Sequence, residues 1–334
     1  MKKFSKSVLS ILLSVALLIG ISSLALAADE AKPVAQYKVY TCLGDSMAAG
    51  YATSDFVRTR TPAPNAYHSK IAYVLGVEEL NTYASNGIRN YEMRYLLDPD
   101  YKLDNTAYAD SVAGDDVTVH TDEIDTYKDA CIESVKKSDL ITLQFGGNDF
   151  VTGFKMRYSE INKIKHFDSV RNFFEKFKNT SAVEFIDKLE NYARLATIAH
   201  DYFQFLWKTA NDYIENFDAV VSRIYALNPD VKLVALSLVN CARNITYHQG
   251  DKFRIGTLLD PILIYVNNYI ENRSPYKNKY TYVDIFDVQL SHNTCFETEN
   301  FWADFLKNSH PTDEQHTWIA GRILDELEKD VALN

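Results

Sequence analysis

The sequence predicts an α/β fold: a three-layer α/β/α sandwich around a five-stranded parallel sheet in the flavodoxin-like order 2-1-3-4-5, with a helical insertion. Three observations predict it. From Tyr37 to the C-terminus, short runs rich in β-branched and aromatic residues alternate with segments of helical periodicity. That alternation produces parallel strands with helices on both faces. Two of the strand runs stop at glycine, one at Gly44 and one at Gly146-Gly147, as chains do where they turn at the ligand-binding carboxyl edge of a sheet. Between about residues 150 and 211 the rhythm lapses for roughly sixty residues, too long for a strand–helix connection.

Taken in order, residues 1–27 read as a signal peptide. Lys2, Lys3 and Lys6 precede a largely apolar run from Val8 to Leu24, and Ala25-Leu26-Ala27 fits a small-x-small cleavage site. No cysteine stands there to accept a lipid, and no later apolar run is long enough for a span. An exported protein without a stable membrane span after cleavage is therefore expected. The first strand ends in Gly44-Asp45-Ser46, with Gly50 closing the small-residue turn that follows. Asn65 to Gly76 has helical spacing and a terminating glycine. Val77 to Tyr83 is the second strand, leading into Asn86-Gly87, and Asp98 to Thr121 is a polar surface excursion.

A helix is expected from Thr121 to about Lys137, acidic at its start and basic at its end, as the helix dipole prefers. Asp139 to Phe145 is the third strand, running into Gly146-Gly147-Asn148-Asp149. In the insertion, Val183, Ile186, Leu189 and Ala193 recur at helical spacing, and aromatics continue through Trp207. Then follow a helix from Phe217 to Leu227, a strand from Val231 to Leu238, a helix from Leu258 to Asn272 and a strand from Tyr280 to Phe286. Pro311 and Asp313 open the last helix, which carries Ile319, Ile323 and Leu327 on one face.

Charge and cysteines narrow the class. The net charge is −10; without residues 1–27, which hold three lysines and no acid, 32 basic residues face 45 acidic ones and the balance is −13. No basic stripe is present, so a nucleic-acid partner is not expected. Cys42, Cys131, Cys241 and Cys295 have no zinc-site spacing. Cys42 and Cys241 sit in or beside apolar strand runs, which favours thiols over disulfides.

The chemistry-bearing residues stand in four short motifs, in order: Gly44-Asp45-Ser46, Asn86-Gly87, Gly146-Gly147-Asn148-Asp149 and His310-Pro311. A serine lifted to a sheet edge is a nucleophile if a base and an oxyanion hole come from elsewhere in the chain. Five of the eleven glycines after residue 27 are Gly44, Gly50, Gly87, Gly146 and Gly147, so glycine clusters where the site is expected. Asp45 and Asp149 read as loop-bonding residues, and His316 as structural. His248 lies after the fourth strand, at the carboxyl edge.

These motifs resemble those of the SGNH (GDSL) hydrolase family, named for the Ser, Gly, Asn and His of its four blocks. The resemblance runs from about Tyr37 to the C-terminus apart from the insertion, making residues 28–334 one hydrolase domain. It implies a serine esterase or lipase acting on a small-molecule, lipid or carbohydrate ester, with no cofactor and no metal. Ser46 would be the nucleophile and His310 the base; the oxyanion hole would be the backbone N–H groups of Ser46 and Gly87 with the Asn148 side chain. One departure stands out: the family usually has Asp-x-x-His, and Lys307 occupies the place of the acid. Asp304, Asn308 or a main-chain carbonyl near Lys307 remain open as the third member. An α/β-hydrolase is disfavoured, because its Gly-x-Ser-x-Gly elbow would need glycine where Ala48 stands. A catalytically silent domain binding sugar or envelope polymer, and an O-acyltransferase using the same residues, are the rival readings.

Overall fold

The computed structural model describes residues 37–58, 60–103, 121–151, 182–246, 250, 254–290, 294–295, 298 and 300–333. The expected signal peptide, most of the Asp98–Thr121 excursion, the first half of the insertion and His248 lie outside the described residues.

Five strands form the parallel sheet: β1 (Val39–Gly44), β2 (Glu79–Thr82), β3 (Leu140–Gln144), β4 (Lys232–Leu236) and β6 (Thr281–Val283). Their order, β2-β1-β3-β4-β6, is the expected one; the fifth strand is numbered β6 because a two-residue strand, β5 (Ile245–Thr246), precedes it. β5 pairs with β7 (Thr294–Cys295) in a small second sheet. The central strands β1, β3 and β4 are buried on both faces, the edge strands β2 and β6 only in part, and the side chains alternate between two cores. Leu43, Ile141, Leu143, Leu233 and Ala235 point into one; Tyr40, Cys42, Leu140, Val234 and Val283 point into the other. Each leucine, isoleucine or valine among them contributes about 1.5–3 kcal/mol by leaving water. Several buried polar side chains of the central strands are paired: Tyr40 Oη lies 2.8 Å from Thr142 Oγ1, and Thr41 Oγ1 lies 2.6 Å from both Ser134 Oγ and Ser138 Oγ.

On one face pack α2 (Tyr67–Leu75) and α9 (Asp313–Leu333), with Ile319, Ile323 and Leu327 buried as expected. On the other lie α3 (Asn90–Leu97), α5 (Lys128–Lys137), α6 (Ala182–Leu227) and α7 (Asp260–Asn272). Two helices differ from expectation. Thr121–Lys137 is not one helix but two, α4 (Thr121–Asp125) and α5, because Tyr127 leaves the helical path to bury its ring and bring its hydroxyl 2.9 Å from Ser85 Oγ. Tertiary docking there outweighs helix propensity. The Leu258–Asn272 helix begins earlier, as a 3₁₀ turn over Ile255–Leu259, before α7 starts with Pro261 in its first turn. α6 is one continuous helix of 46 residues, joining the segment expected to end near Asn211 to the helix expected from Phe217. An eight-residue helix, α8 (Phe301–Asn308), precedes the His310 loop without having been expected.

All these elements belong to one unit, Tyr37–Asn334. Among the described residues no helix is long and apolar enough to cross a membrane. None of the four cysteines is in a disulfide, and Cys42 and Cys131 are fully buried.

Two glycines make a matched test of packing. A Cβ at Gly44 would lie 2.1 Å from the backbone oxygen of Gln144 and 2.4 Å from Ala48 Cβ, whereas a Cβ at Gly321, within α9, would meet nothing within 4 Å. Gly44→Ala is expected to lose at least ~2 kcal/mol or fail to fold. Gly321→Ala should gain ~0.5–1 kcal/mol by helix propensity. Urea unfolding of both variants checks the pair.

Candidate active site

The first loop is built by a tight turn out of β1. Asp45 extends the β1–β3 ladder through its backbone N–H to Gln144 O at 3.0 Å. It then caps a four-residue helix, α1 (Ser46–Ala49), by accepting from Met47 N at 3.0 Å. Gly50 ends α1 in the left-handed region at φ 82°, where glycine carries no steric cost. This arrangement puts Ser46 at the first helical position, 8% exposed. Burial raises the Asp45 carboxyl to about 7, against hydrogen bonds from Met47 and its neighbours.

His310 comes from the other end of the chain, between α8 and α9. Its Nε2 lies 2.7 Å from Ser46 Oγ, and its Nδ1 lies 2.7 Å from the backbone oxygen of Leu306. A carbonyl only accepts, so Nδ1 carries the proton and Nε2 presents its lone pair to the serine hydroxyl. Ser309 Oγ, 3.1 Å from Nδ1, adds a polar neighbour. The ring of Tyr51 packs on the imidazole, with centroids 4.5 Å apart. Asp304 and Lys307 are both exposed on α8, and Asn308 Nδ2 donates to Thr294 Oγ1 at 3.4 Å. The Leu306 carbonyl, rather than the side chain of Asp304, Lys307 or Asn308, is therefore the group facing Nδ1. Burial holds His310 down at about 4, with the bond to Leu306 O pulling the other way.

Gly87 and Asn148 stand on two further loops of the same sheet edge. Gly87 has φ 81° in a turn closed by Ile88 N donating to Ser85 O at 3.2 Å, a conformation that favours glycine. Asn148 Nδ2 donates to Ile88 O at 3.0 Å. The three loops are interlocked. Ser85 N donates to Gly44 O at 2.9 Å, and Asp149 accepts from Asn90 N at 3.0 Å and Asn90 Nδ2 at 2.7 Å. A Cβ on Gly147 would lie 3.6 Å from Asp45 Oδ2. Asp45 and Asp149 thus bond loop backbone. His316 is fully buried and accepts from Tyr67 N at 3.2 Å.

Sequence reasoning left the partner of His310 open among Asp304, Asn308 and a main-chain carbonyl near Lys307, and it missed Tyr51. The Leu306 carbonyl is invisible as a residue type, although the helix that aims it has a signal in Phe301 and Phe305, which stack and bury one face of α8. Tyr51 lay in the small-residue stretch after the serine and carried no motif. Among the described residues no cluster of three His, Cys, Asp or Glu side chains is arranged to hold a metal ion.

A hydroxyl–imidazole pair at the carboxyl edge of a parallel α/β/α sheet defines the class as a hydrolase scaffold. The chain belongs to the GDSL-like lipase/acylhydrolase family, whose model matches residues 40–323; the family's members are hydrolases of ester bonds. Among solved structures the chain is similar to a lipase from a goat rumen metagenome, at 16% identity and a TM-score of 0.48 over 86% of this chain and 96% of that one. It is also similar to an extracellular lipase from Streptomyces rimosus, at 14% and 0.48 over 87% and 99%. A family two carbohydrate esterase from Clostridium thermocellum matches at 13% and 0.41 over 89% and 65%. No curated protein matches the chain.

The depressed imidazoles have a measurable consequence. His68, His310 and His316 are all depressed by burial, to about 4, 4 and 3, so the unfolded chain takes up their protons near pH 6.5 and the folded chain resists. Their contribution to stability is complete above that pH and is lost as pH falls towards 4. In an NMR titration of the folded protein, His310 should show a midpoint near 4; a midpoint near 6.5 would contradict the site as described.

Proposed function

We propose that this chain is an exported carboxylic-ester hydrolase that acts through a Ser46–His310 acyl-enzyme mechanism on a lipid ester or an acylated carbohydrate. The observation that carries the proposal is the Ser46 Oγ–His310 Nε2 contact of 2.7 Å, with the tautomer set by Leu306 O. Export follows from the basic, apolar and small-residue succession of residues 1–27.

In the first half-reaction Ser46 Oγ attacks the ester carbonyl while His310 Nε2 takes its proton. The oxyanion would be met by the backbone N–H groups of Ser46 and Gly87 and by Asn148 Nδ2. A neutral amide suits that role because it donates without titrating. His310 then gives its proton to the leaving alkoxide, and the alcohol departs. In the second half, water attacks the acyl-enzyme with His310 as base, releasing the carboxylic acid and regenerating Ser46. The imidazolium formed in each half is held by a carbonyl dipole rather than a carboxylate, so its orientation comes from α8. A silent sugar-binding domain would have no use for a serine–imidazole pair so aligned. Transfer of the acyl group to a sugar hydroxyl uses the same residues and differs only in the acceptor.

The core test is a short p-nitrophenyl ester. Ser46→Ala and His310→Ala should each lower kcat by at least ~10³-fold while remaining folded, and a serine-directed phosphonate should add one label, at Ser46. Asn148→Ala should lower kcat by ~10²–10³-fold with a much smaller change in KM. Labelling away from Ser46 would overturn the assignment.

The third position has its own test. If Leu306 O orients His310, Asp304→Asn and Asn308→Ala should each stay within about tenfold of the parent kcat, a barrier change of ~1.4 kcal/mol or less. A folded but inactive Asp304→Asn would transfer the role to that carboxylate.

A further inference from the structure

Two buried asparagines outside the four motifs tie the Gly87 loop to the Asn148 loop. The chain runs from Gly87 directly into α3, whose first residue is Asn90. Asn90 is fully buried, and both its donors go to one carboxylate, the backbone N to Asp149 Oδ2 and Nδ2 to Asp149 Oδ1. Its remaining side-chain polar atom, Oδ1, accepts from Asn216 Nδ2 at 2.8 Å. Asn216, 3% exposed on α6, has its own carboxamide fixed in turn: Nδ2 also donates to Asp212 O at 2.9 Å, and Oδ1 accepts from Arg94 Nη1 at 3.2 Å. Both amide groups thus have a specified orientation, because exchanging O and N in either would set donor against donor.

The adjacent contact completes a clamp. Asn148 holds Ile88 O, and Asp149 holds Asn90, so two consecutive residues of one loop grip two nearly consecutive residues of the other. α6 then supports that clamp from behind through Asn216, and Tyr91, the residue after Asn90, donates through Oη to Asp212 Oδ2 at 2.5 Å, one turn before Asn216 on α6. We propose that Asn90 and Asn216 are positioning residues that set the spacing between Gly87 N and the Asn148 amide, which makes the long helix α6 part of the oxyanion-binding device. This rests on the reading of Ser46, Gly87 and Asn148 as an ester-hydrolysing site. Neither asparagine touches substrate; each acts through the loops it ties. Oxyanion stabilisation depends on donors placed within tenths of an ångström of where charge develops, and a misplacement of ~1 Å costs up to ~10²-fold in rate.

The test uses the full chain with a p-nitrophenyl ester and, as a probe that forms a tetrahedral adduct, an aryl trifluoromethyl ketone. Asn216→Leu removes the donor to Asn90 while keeping the side chain's size, and Asn90→Asp replaces the donor to Asp149 with an oxygen. The control is Asn228→Leu, because Asn228 makes similar amide bonds to Val135 O and Ser138 O just beyond the far end of α6. Asn216→Leu and Asn90→Asp should lower kcat by ~10–100-fold, leave KM within about threefold, and weaken ketone inhibition by a factor parallel to kcat. Asn228→Leu should lower the melting temperature but leave kcat and ketone inhibition within about threefold. The proposal is overturned if folded Asn216→Leu keeps the parent kcat, or if Asn216→Leu and Asn228→Leu lose kcat equally. Should Asn216→Leu not fold, Asn90→Asp decides by the same readouts, with Asn216→Ser as a milder removal. If Ser46→Ala stays active, the hydrolytic reading itself falls; if Ser46→Ala is inactive and the asparagine variants are normal, only the positioning role falls.

Discussion

The close passage of β1 against β3 is the constraint on which the site depends. Gly44 pairs with Gln144 at the end of both strands, and a side chain on Gly44 would collide with the Gln144 carbonyl. Because the two strands leave the sheet side by side, the serine loop and the Asn148 loop emerge as neighbours. Asp45, next to Ser46, therefore meets Gly147 without any long excursion of chain. The remaining strands are spaced outwards from this pair, and both cores fill behind it.

Much of this was legible in the sequence because it depends on residue types with few alternatives. Gly44, Gly87 and Gly146 mark places where a Cβ or a negative φ is excluded, and such positions show in a sequence as glycine. The strand order followed from the alternation of strand and helix signals together with the edge location of the two glycine-ended strands. The juxtaposition of Ser46 and His310 was expected from their motifs, and the structure brings the two side chains to 2.7 Å.

What was not legible has a common physical cause. The break between α4 and α5 comes from the docking of Tyr127 over Ser85, a contact made across the fold and not by local propensity. The merging of two expected helical segments into α6 reflects the absence of any helix-stopping residue between Asn211 and Phe217, a negative signal easily passed over. The partner of His310 is a backbone group, and every residue has one. Asn90 and Asn216 are 126 positions apart, and nothing in either neighbourhood announces that they meet.

The Leu306 carbonyl lies in the last turn of α8, among the carbonyls that a helix cannot satisfy internally. The aligned peptide units of such a helix concentrate roughly half a negative charge at that end. His310 is thus addressed by a fractional charge fixed to the backbone. A carboxylate in its place would take up a proton in acid and would swing about its own rotatable bonds; a peptide dipole does neither. The hydrogen-bond chain from Ser46 through His310 to Leu306 consequently contains a single group that changes protonation near neutrality, the imidazole, and its alignment is as permanent as the last turn of α8, which Phe301 and Phe305 hold into the core.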